Sequence, residues 1–256
     1  MVDWDKVHKF DSLRRSGHPA EALDELQRMR ITCADNEARA SILLNESVCL
    51  CDLGRFAEAV GTASTALQLL PAESPSRPYT EFSLACAHQL SGQLELAARE
   101  FRAFLQQHQV LLNTDDHAQL RRDAQHRLVA TLITLGHSTE PLFLLEILQA
   151  EATSPSEKAE LHYREAEVNV IIGHQPRALE LFQQALSGTL DLRFVARAHF
   201  GIGQILFQHR EFQLALAEFE TAEQLGTQNT PDHEAYVNWL RATRDELQKI
   251  SHETVI

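Results

Sequence analysis

The sequence lacks several features that mark other classes of protein. No run of apolar residues approaches the 18 needed for a membrane-spanning helix. The 23 Lys and Arg are outnumbered by 36 Asp and Glu, for a formal net charge of −13. This balance argues against a sequence-independent binder of the phosphate backbone, which needs a basic face. The N-terminus carries early acids and no apolar stretch of signal-peptide length. We therefore expect a cytoplasmic protein with no nucleic-acid and no membrane partner.

Motifs for catalysis and cofactor binding are also missing. There is no H-E-x-x-H, no pair of histidines three or four residues apart, no glycine-rich phosphate loop and no G-x-S-x-G. The four cysteines, at positions 33, 49, 51 and 86, form no C-x-x-C pair. On a helix, Cys49 and Cys51 would point about 160° apart, so they could not bind the same metal ion. We predict no enzyme, no cofactor and no metal site, although a Cys–His pair brought together by the fold stays open.

What the sequence does contain is a repeat. A motif anchored on glycine recurs, as in GRFAEAV from Gly54 and GHQPRAL from Gly173, with Arg210 in the glycine position of the last copy. The anchors lie 37, 38, 44, 37 and 37 residues apart. Five residues after each anchor comes a small residue, or a proline in the fourth copy. These positions are Ala22, Ala59, Ala97, Pro141, Ala178 and Ala215.

The pattern around each anchor predicts a pair of antiparallel helices. Apolar residues 5, 6, 9 and 12 to 13 positions after the anchor share one helix face, and a second helical pattern precedes each anchor. We name the helix before each anchor helix A and the one after it helix B. A glycine permits the tight left-handed turn between them, and the alanine lets the helices approach closely. Helix starts are predicted at Asp35-Asn36, Ser154-Pro155 and Thr230-Pro231.

These units resemble the tetratricopeptide repeat (TPR) family. The second unit matches the family's pattern of turn glycine, aromatic, small residue, Ala-Leu and closing proline in Gly54, Phe56, Ala59, Ala66, Leu67 and Pro71. The fifth matches in Gly173, Ala178, Leu179, Phe182, Ala185 and Leu186, and the sixth in Gly203, Phe212, Ala215, Phe219 and Ala222. The spacing exceeds the family's roughly 34-residue period, and the first and fourth units are degenerate.

The resemblance implies an all-α fold, a right-handed α-solenoid of six TPR-like hairpins in a single domain, 1–256. We expect the repeats at about 3–33, 36–71, 75–110, 115–152, 155–188 and 191–226. A capping helix is expected at 231–250, with Tyr236, Leu240, Leu247 and Ile250 packed on the sixth unit.

The resemblance also implies a binding groove. In the family, the groove is lined by helix A positions thirteen, ten, nine and six residues before the turn glycine. Aromatic residues and three arginines from successive units stand out among these positions. The arginines would suit a carboxylate or an acidic peptide, but Asp123, Glu160 and Glu167 could neutralise them in a structural ion-pair network. The candidate groove residues are Leu44, Asn45, Val48, Tyr79, Phe82, His126, Arg127, Tyr163, Arg164, Arg197 and Phe200.

The function expected from these residues is non-catalytic binding of a protein or peptide partner. If neighbouring acids do not neutralise the three arginines, the partner is expected to carry an acidic segment. The chain would act as an adaptor or assembly factor. Two alternatives stay open. One is a regulatory sensor of a small acidic ligand or signalling peptide, and the other is a homo-oligomeric structural module.

Overall fold

The computed structural model describes residues 4–228 and 230–253, and side chains within 10–228, 230 and 232–250. This part of the chain is all-α, as predicted, with fourteen α-helices and one 3-10 helix, Asp115–His117. Residue 3, the expected start of the first repeat, lies outside the described residues. The helices are α1 Trp4–Arg15, α2 Pro19–Thr32, α3 Asn36–Asp52, α4 Phe56–Leu69, α5 Arg77–Leu90, α6 Leu94–Gln107, α7 Gln109–Leu112, α8 Ala118–Thr134, α9 Thr139–Glu151, α10 Pro155–Ile171, α11 Gln175–Ser187, α12 Leu192–Gln208, α13 Phe212–Leu225 and α14 Pro231–Glu253.

The chain divides into two compact units, with the boundary between Leu135 and Gly136. In the first unit, α1 pairs with α2, α3 with α4, and α5 with α6. Each B helix also packs on the next A helix, so that α2 contacts α3, α4 contacts α5, and α6 contacts α8. The A helices α1, α3, α5 and α8 follow one another as neighbours. This arrangement is the repeated hairpin that the sequence predicts.

The second unit repeats the same arrangement. Helices α10 and α11 form one hairpin, α12 and α13 form another, and α9 packs on α10. The B helices α11 and α13 pack on the next A helices, α12 and α14. The A helices α10, α12 and α14 are again sequential neighbours. The single domain expected from the sequence stays a prediction.

The turns between helices A and B have the predicted left-handed geometry. Gly54 adopts φ 71°, and Arg210, which replaces glycine in the sixth unit, adopts φ 63°. In the second unit of the repeat, the Arg55 amide donates to the Leu50 carbonyl at 2.8 Å. In the sixth, the Glu211 amide donates to the Leu206 carbonyl at 2.9 Å. These bonds close a Schellman motif, which satisfies helix A carbonyls that would otherwise lack donors.

Side chains start the A helices where the sequence predicts. The Asp35 carboxylate accepts from the Ala38 amide at 2.7 Å and caps α3. The Ser154 hydroxyl accepts from the Glu157 amide at 3.1 Å and caps α10. Each cap satisfies one of the backbone N–H groups left unpaired at a helix start.

The core of each repeat lies between its helices A and B. The small residue five positions after each anchor is fully buried where it is alanine, and Pro141 is buried as well. Nine positions after the anchor, the residues are no more than 2% exposed. Burial of these residues accounts for the periodic pattern in the sequence, because the hydrophobic effect scales with the apolar area removed from water. These residues are Leu26, Ala63, Phe101, Leu145, Phe182 and Phe219.

Two segments depart from the regular pattern. The 44-residue spacing between the third and fourth anchors accommodates α7 and the 3-10 helix between α6 and α8. At the other end, α14 continues to Glu253, three residues beyond the predicted end of the cap. Tyr236 and Leu240 are buried as expected, whereas Ile250 is 45% exposed and does not join the core.

Candidate functional site

The candidate groove residues all lie on A helices, which form a row of neighbouring helices in each unit. In the first unit, α5 contacts both α3 and α8. In the second, α12 contacts both α10 and α14. We call the candidate surface on α3, α5 and α8 the first A-helix face, and that on α10, α12 and α14 the second A-helix face.

On the first A-helix face, α3 contributes an apolar and amide surface. Leu44, Asn45 and Val48 are each partly exposed. The Asn45 amide donates to the Ser41 carbonyl one turn earlier, at 2.8 Å. This bond orients the side chain and leaves its oxygen as a hydrogen-bond acceptor.

Helix α5 contributes the aromatic part of this face. Tyr79 is 42% exposed, and its ring centroid lies 6.1 Å from that of His117 in the 3-10 helix. Phe82 is partly exposed and packs its ring near Phe101 and Phe104, at centroid distances of 6.0 and 5.8 Å. Phe82 is therefore held in place by the α6 core while part of its ring remains available at the surface.

Helix α8 places Arg127 beside α5. Its guanidinium carbon lies 6.0 Å from the centroid of the Phe82 ring, and Nη1 donates to Oε1 of Gln89 at 3.0 Å. The amide nitrogen of Gln89 donates back to the Arg127 carbonyl at 3.2 Å and to the Thr131 hydroxyl at 2.8 Å. His126, the neighbouring candidate on α8, is partly exposed.

On the second A-helix face, Tyr163 supports the surface from below. It is 2% exposed and packs against Phe182 and Phe194. Its hydroxyl donates to Glu167 at 2.7 Å. Burial, together with the negative charge of Glu167, raises the pKa of Tyr163 well above its usual value, so it stays a neutral donor. Its ring is not available at the surface.

Arg164 on the same helix is engaged by its own neighbours. Nη1 lies 3.0 Å from the carboxylate of Glu167, and Nε lies 3.9 Å from that of Glu160. The guanidinium also lies over the Phe194 ring, at 4.9 Å from the centroid. The geometry therefore places two of the three acids named in the sequence analysis around this arginine.

Arg197 on α12 is paired with α14. Its guanidinium makes two contacts with the Asp232 carboxylate, at 2.7 Å from Nε and 2.6 Å from Nη2. Burial and the charge of Asp232 raise the pKa of Tyr236 to about 12. Partly exposed Phe200 packs against Tyr236 and Trp239, with centroids 4.9 and 6.3 Å away. The second A-helix face therefore carries charge pairs rather than single cations.

Two partners of the candidate arginines escaped the sequence reasoning. Gln89 lies three residues before its turn glycine, one turn beyond the last of the four groove positions, where the same helix face continues. Asp232 lies in α14, for which the sequence predicts only the role of a capping helix. Treating α14 as one more helix A would have placed it beside α12 and signalled this pairing.

Several other classes of site find no support in the described part of the chain. No group of three or more His, Cys, Asp or Glu side chains there is arranged to hold a metal ion. None of the described helices is long and apolar enough to cross a membrane. All four cysteines are free thiols; Cys49 and Cys86 are buried, and the other two are partly exposed.

Structural comparison finds many similar solved proteins, and the three described here share 20% sequence identity or less with this chain. The apo form of the quorum sensor NprR from B. thuringiensis has a TM-score of 0.74 and 12% identity, covering 100% of this chain and 75% of that one. The assembly chaperone of RpL4 has a TM-score of 0.59 and 16% identity, with 100% of both chains covered. TPR-like repeats of a putative kinesin light chain from Podosopora anserina have a TM-score of 0.58 and 20% identity, covering 70% of this chain and 91% of that one.

Sequence comparison identifies the repeat itself. A search of curated proteins finds no match. Two tetratricopeptide repeat family models match the sequence, one over residues 7–72 and the other over residues 148–231. The matches cover one stretch in each compact unit, and the hairpins, left-handed turns and buried alanines described above account for them. The chain therefore belongs to the tetratricopeptide repeat family.

Proposed function

We propose that the chain binds a peptide or protein partner on its A-helix faces, without catalysis, as an adaptor or assembly factor. Tetratricopeptide repeats generally mediate protein–protein interactions and are typically non-catalytic. The observation that carries the proposal is the different use of the two helix types. The B helices bury their periodic residues in the hairpin cores, whereas Leu44, Val48 and Phe82 on the A helices remain partly exposed.

The chemistry of these faces favours a peptide over a small polar molecule. Tyr79, Phe82 and Phe200 supply aromatic surface, which dominates the energetics of protein interfaces. Asn45 retains a side-chain acceptor among aliphatic neighbours. Preformed helices that present apolar and polar groups at regular spacing provide side-chain pockets for an extended or helical segment.

Site-specific photocrosslinking in native lysate tests this proposal. A photoreactive phenylalanine analogue would replace Tyr79 on α5 in one variant and Gln68 on α4 in a matched control, since both positions are exposed. We expect discrete adducts from position 79 that are absent from position 68. Equal labelling from both positions, or none from position 79, would argue against binding on the A-helix face.

Light scattering separates partner binding from self-association. The purified chain should have a molecular mass near 28.9 kDa at all concentrations examined if its faces serve other partners. A larger mass, together with adducts of the chain with itself from position 79, would instead support the homo-oligomeric alternative.

A further inference from the structure

Arg127 differs from the other two candidate arginines in its electrostatic partners. Arg164 has two carboxylates within 4.0 Å, and Arg197 has one. The partner found for Arg127 is the neutral amide of Gln89. Among the described residues, no Asp or Glu oxygen lies within ion-pairing distance of its guanidinium. On these A-helix faces, Arg127 therefore presents a positive charge that no acid among the described side chains pairs.

The nearest acid along the helix does not change this conclusion. Asp123 precedes Arg127 by one turn, the spacing at which helical ion pairs form. However, its carboxylate accepts from the Gln119 amide at 2.8 Å, on the preceding turn of α8. Asp52, on α3, pairs with Arg14 at 2.8 Å. Neither carboxylate is in ion-pair contact with the Arg127 guanidinium.

Neighbouring thiols do not supply the missing negative charge either. Cys86 on α5 and Cys51 on α3 both sense the charge of Arg127, which places the guanidinium towards these two helices. Burial nevertheless raises the pKa of Cys86 to about 12, and burial also raises that of Cys51. The two thiols are therefore protonated near neutral pH and leave the arginine unbalanced.

The arginine is also held in position. Gln89 is fixed by donating to the Arg127 carbonyl and the Thr131 hydroxyl, so its oxygen points at Nη1. This bond uses one of the five N–H donors of a guanidinium, and Phe82 lies 6.0 Å from its carbon. The remaining N–H donors of the guanidinium match the planar, bidentate geometry of a carboxylate, and the aromatic ring lies beside them.

On the basis of the function proposed above, we propose that Arg127, Gln89 and Phe82 form a carboxylate-binding site for an acidic segment of the partner. The carboxylate would accept from the guanidinium donors that Gln89 leaves unused. An apolar side chain next to it in the partner would pack on Phe82. Charge complementarity selects this occupant, since the positive charge of Arg127 attracts an acidic segment and repels a basic one at this point of the surface.

Fluorescence anisotropy with defined peptides tests the site. The probe is a fluorescein-labelled, C-terminally amidated peptide of alternating glutamate and phenylalanine, compared with its glutamine–phenylalanine counterpart. We expect the full chain to bind the glutamate peptide more tightly, and Arg127→Gln to weaken that binding about 10-fold, as for loss of a charge-assisted bidentate contact. Arg55→Gln, at the turn before α4, is the matched control and should change binding less than about 2-fold, because Arg55 lies off the A-helix faces and its charge is already paired with Glu58.

Two outcomes would overturn the proposal: equal binding of both peptides by the unmodified chain, or unchanged glutamate-peptide binding by a folded Arg127→Gln variant. Circular dichroism checks the fold of each variant. A third peptide, with phenylalanine and glutamine but a free C-terminus, shows whether side-chain or terminal carboxylates are preferred. If the anisotropy test fails but specific crosslinking at position 79 is observed, only the carboxylate site is wrong and the proposed A-helix binding face stands. If both tests fail, both proposals are wrong.

Discussion

At the scale of single residues, the turn position of each repeat shows how strongly backbone geometry selects the side chain. Gly54 and Arg210 occupy equivalent turns, at φ 71° and 63°. A non-glycine residue in this region of backbone space costs about 1–2 kcal/mol. The sixth unit tolerates this cost, because its hairpin retains the Schellman bond from Glu211 to Leu206. A favourable surrounding structure can therefore hold a strained turn.

Two glycines, one at the turn before α4 and one inside α4, provide the first prediction. Gly54→Ala should destabilise the protein by about 1 kcal/mol through backbone strain. Gly61→Ala, inside α4, should stabilise it by about 0.5–1 kcal/mol, because alanine is the better helix former. A Cβ added at either position meets no atom within 4 Å, so steric clash is absent in both variants. Urea unfolding of the two variants measures these changes. Shifts of the same sign in the free energy of unfolding would contradict the different roles given to the two glycines.

Gly203 gives the opposite case, in which close packing requires glycine. A Cβ added there would lie 2.7 Å from Cε1 of Phe219, which is fully buried in the sixth hairpin. Gly203→Ala should therefore lower the free energy of unfolding by about 1–3 kcal/mol. Gly61→Ala serves as the control, since it adds the same methyl group in open space. A Gly203→Ala variant as stable as the natural chain would show that the two helices can separate without cost.

At the scale of helices, the buried acid Glu46 links α3 to α2. It is 3% exposed and accepts from Arg30 at 2.8 Å. Burial raises the pKa of Glu46 above its ordinary 4.5, outweighing the opposing effect of Arg30. The folded state therefore binds this proton more tightly than the unfolded state does. The contribution of Glu46 to stability is greatest below pH 4.5 and is lost as the pH rises through the folded pKa.

Replacing this acid should change the pH dependence of folding. The free energy of unfolding of Glu46→Gln, relative to that of the natural chain, should increase as the pH rises from about 4.5 towards neutrality. Urea titrations at several pH values measure the difference, with Glu95→Gln on exposed α6 surface as the control. A constant difference across this range would rule out a raised pKa for Glu46.

The pair between α12 and α14 makes a second prediction at this scale. Arg197 and Asp232 are each close to half exposed, which limits the energy of their contact. A double-mutant cycle with Arg197→Gln and Asp232→Asn should give a coupling of about 0.5–1 kcal/mol. Additive effects of the two substitutions would show that the contact between Arg197 and Asp232 does not stabilise the packing of α14 on α12.

At the scale of the whole molecule, the sequence predicted the architecture far better than the site. The helix order, the caps at Asp35 and Ser154 and the left-handed turns follow from local chemistry, and the left-handed turn recurs at every anchor of the repeat. The partner of each arginine does not repeat. Arg127 donates to Gln89, and Arg197 pairs with Asp232. In each case the partner is determined by the side chain that the neighbouring A helix places there. Such pairing depends on packing between units of the repeat and has no periodic signal.

The two compact units lead to a prediction about cooperativity. In repeat proteins, stability is carried by contacts between adjacent elements. Gly203→Ala should therefore weaken amide protection in α10 to α14 more than in α2 to α5. Hydrogen exchange with mass spectrometry on both proteins measures this difference. An equal loss of protection throughout would indicate one cooperative unit, as the predicted single domain requires.

The hairpin turns also determine where the protein can be modified. Gly54, Gly92 and Gly173 lie where an added Cβ atom would meet no other part of the fold within 4 Å. Exposed turns of this kind are the positions at which proteins accept inserted peptides with least disturbance. A short flexible epitope placed after one of these turns can therefore anchor the chain to a sensor surface, with its A-helix faces left uncovered for the partner.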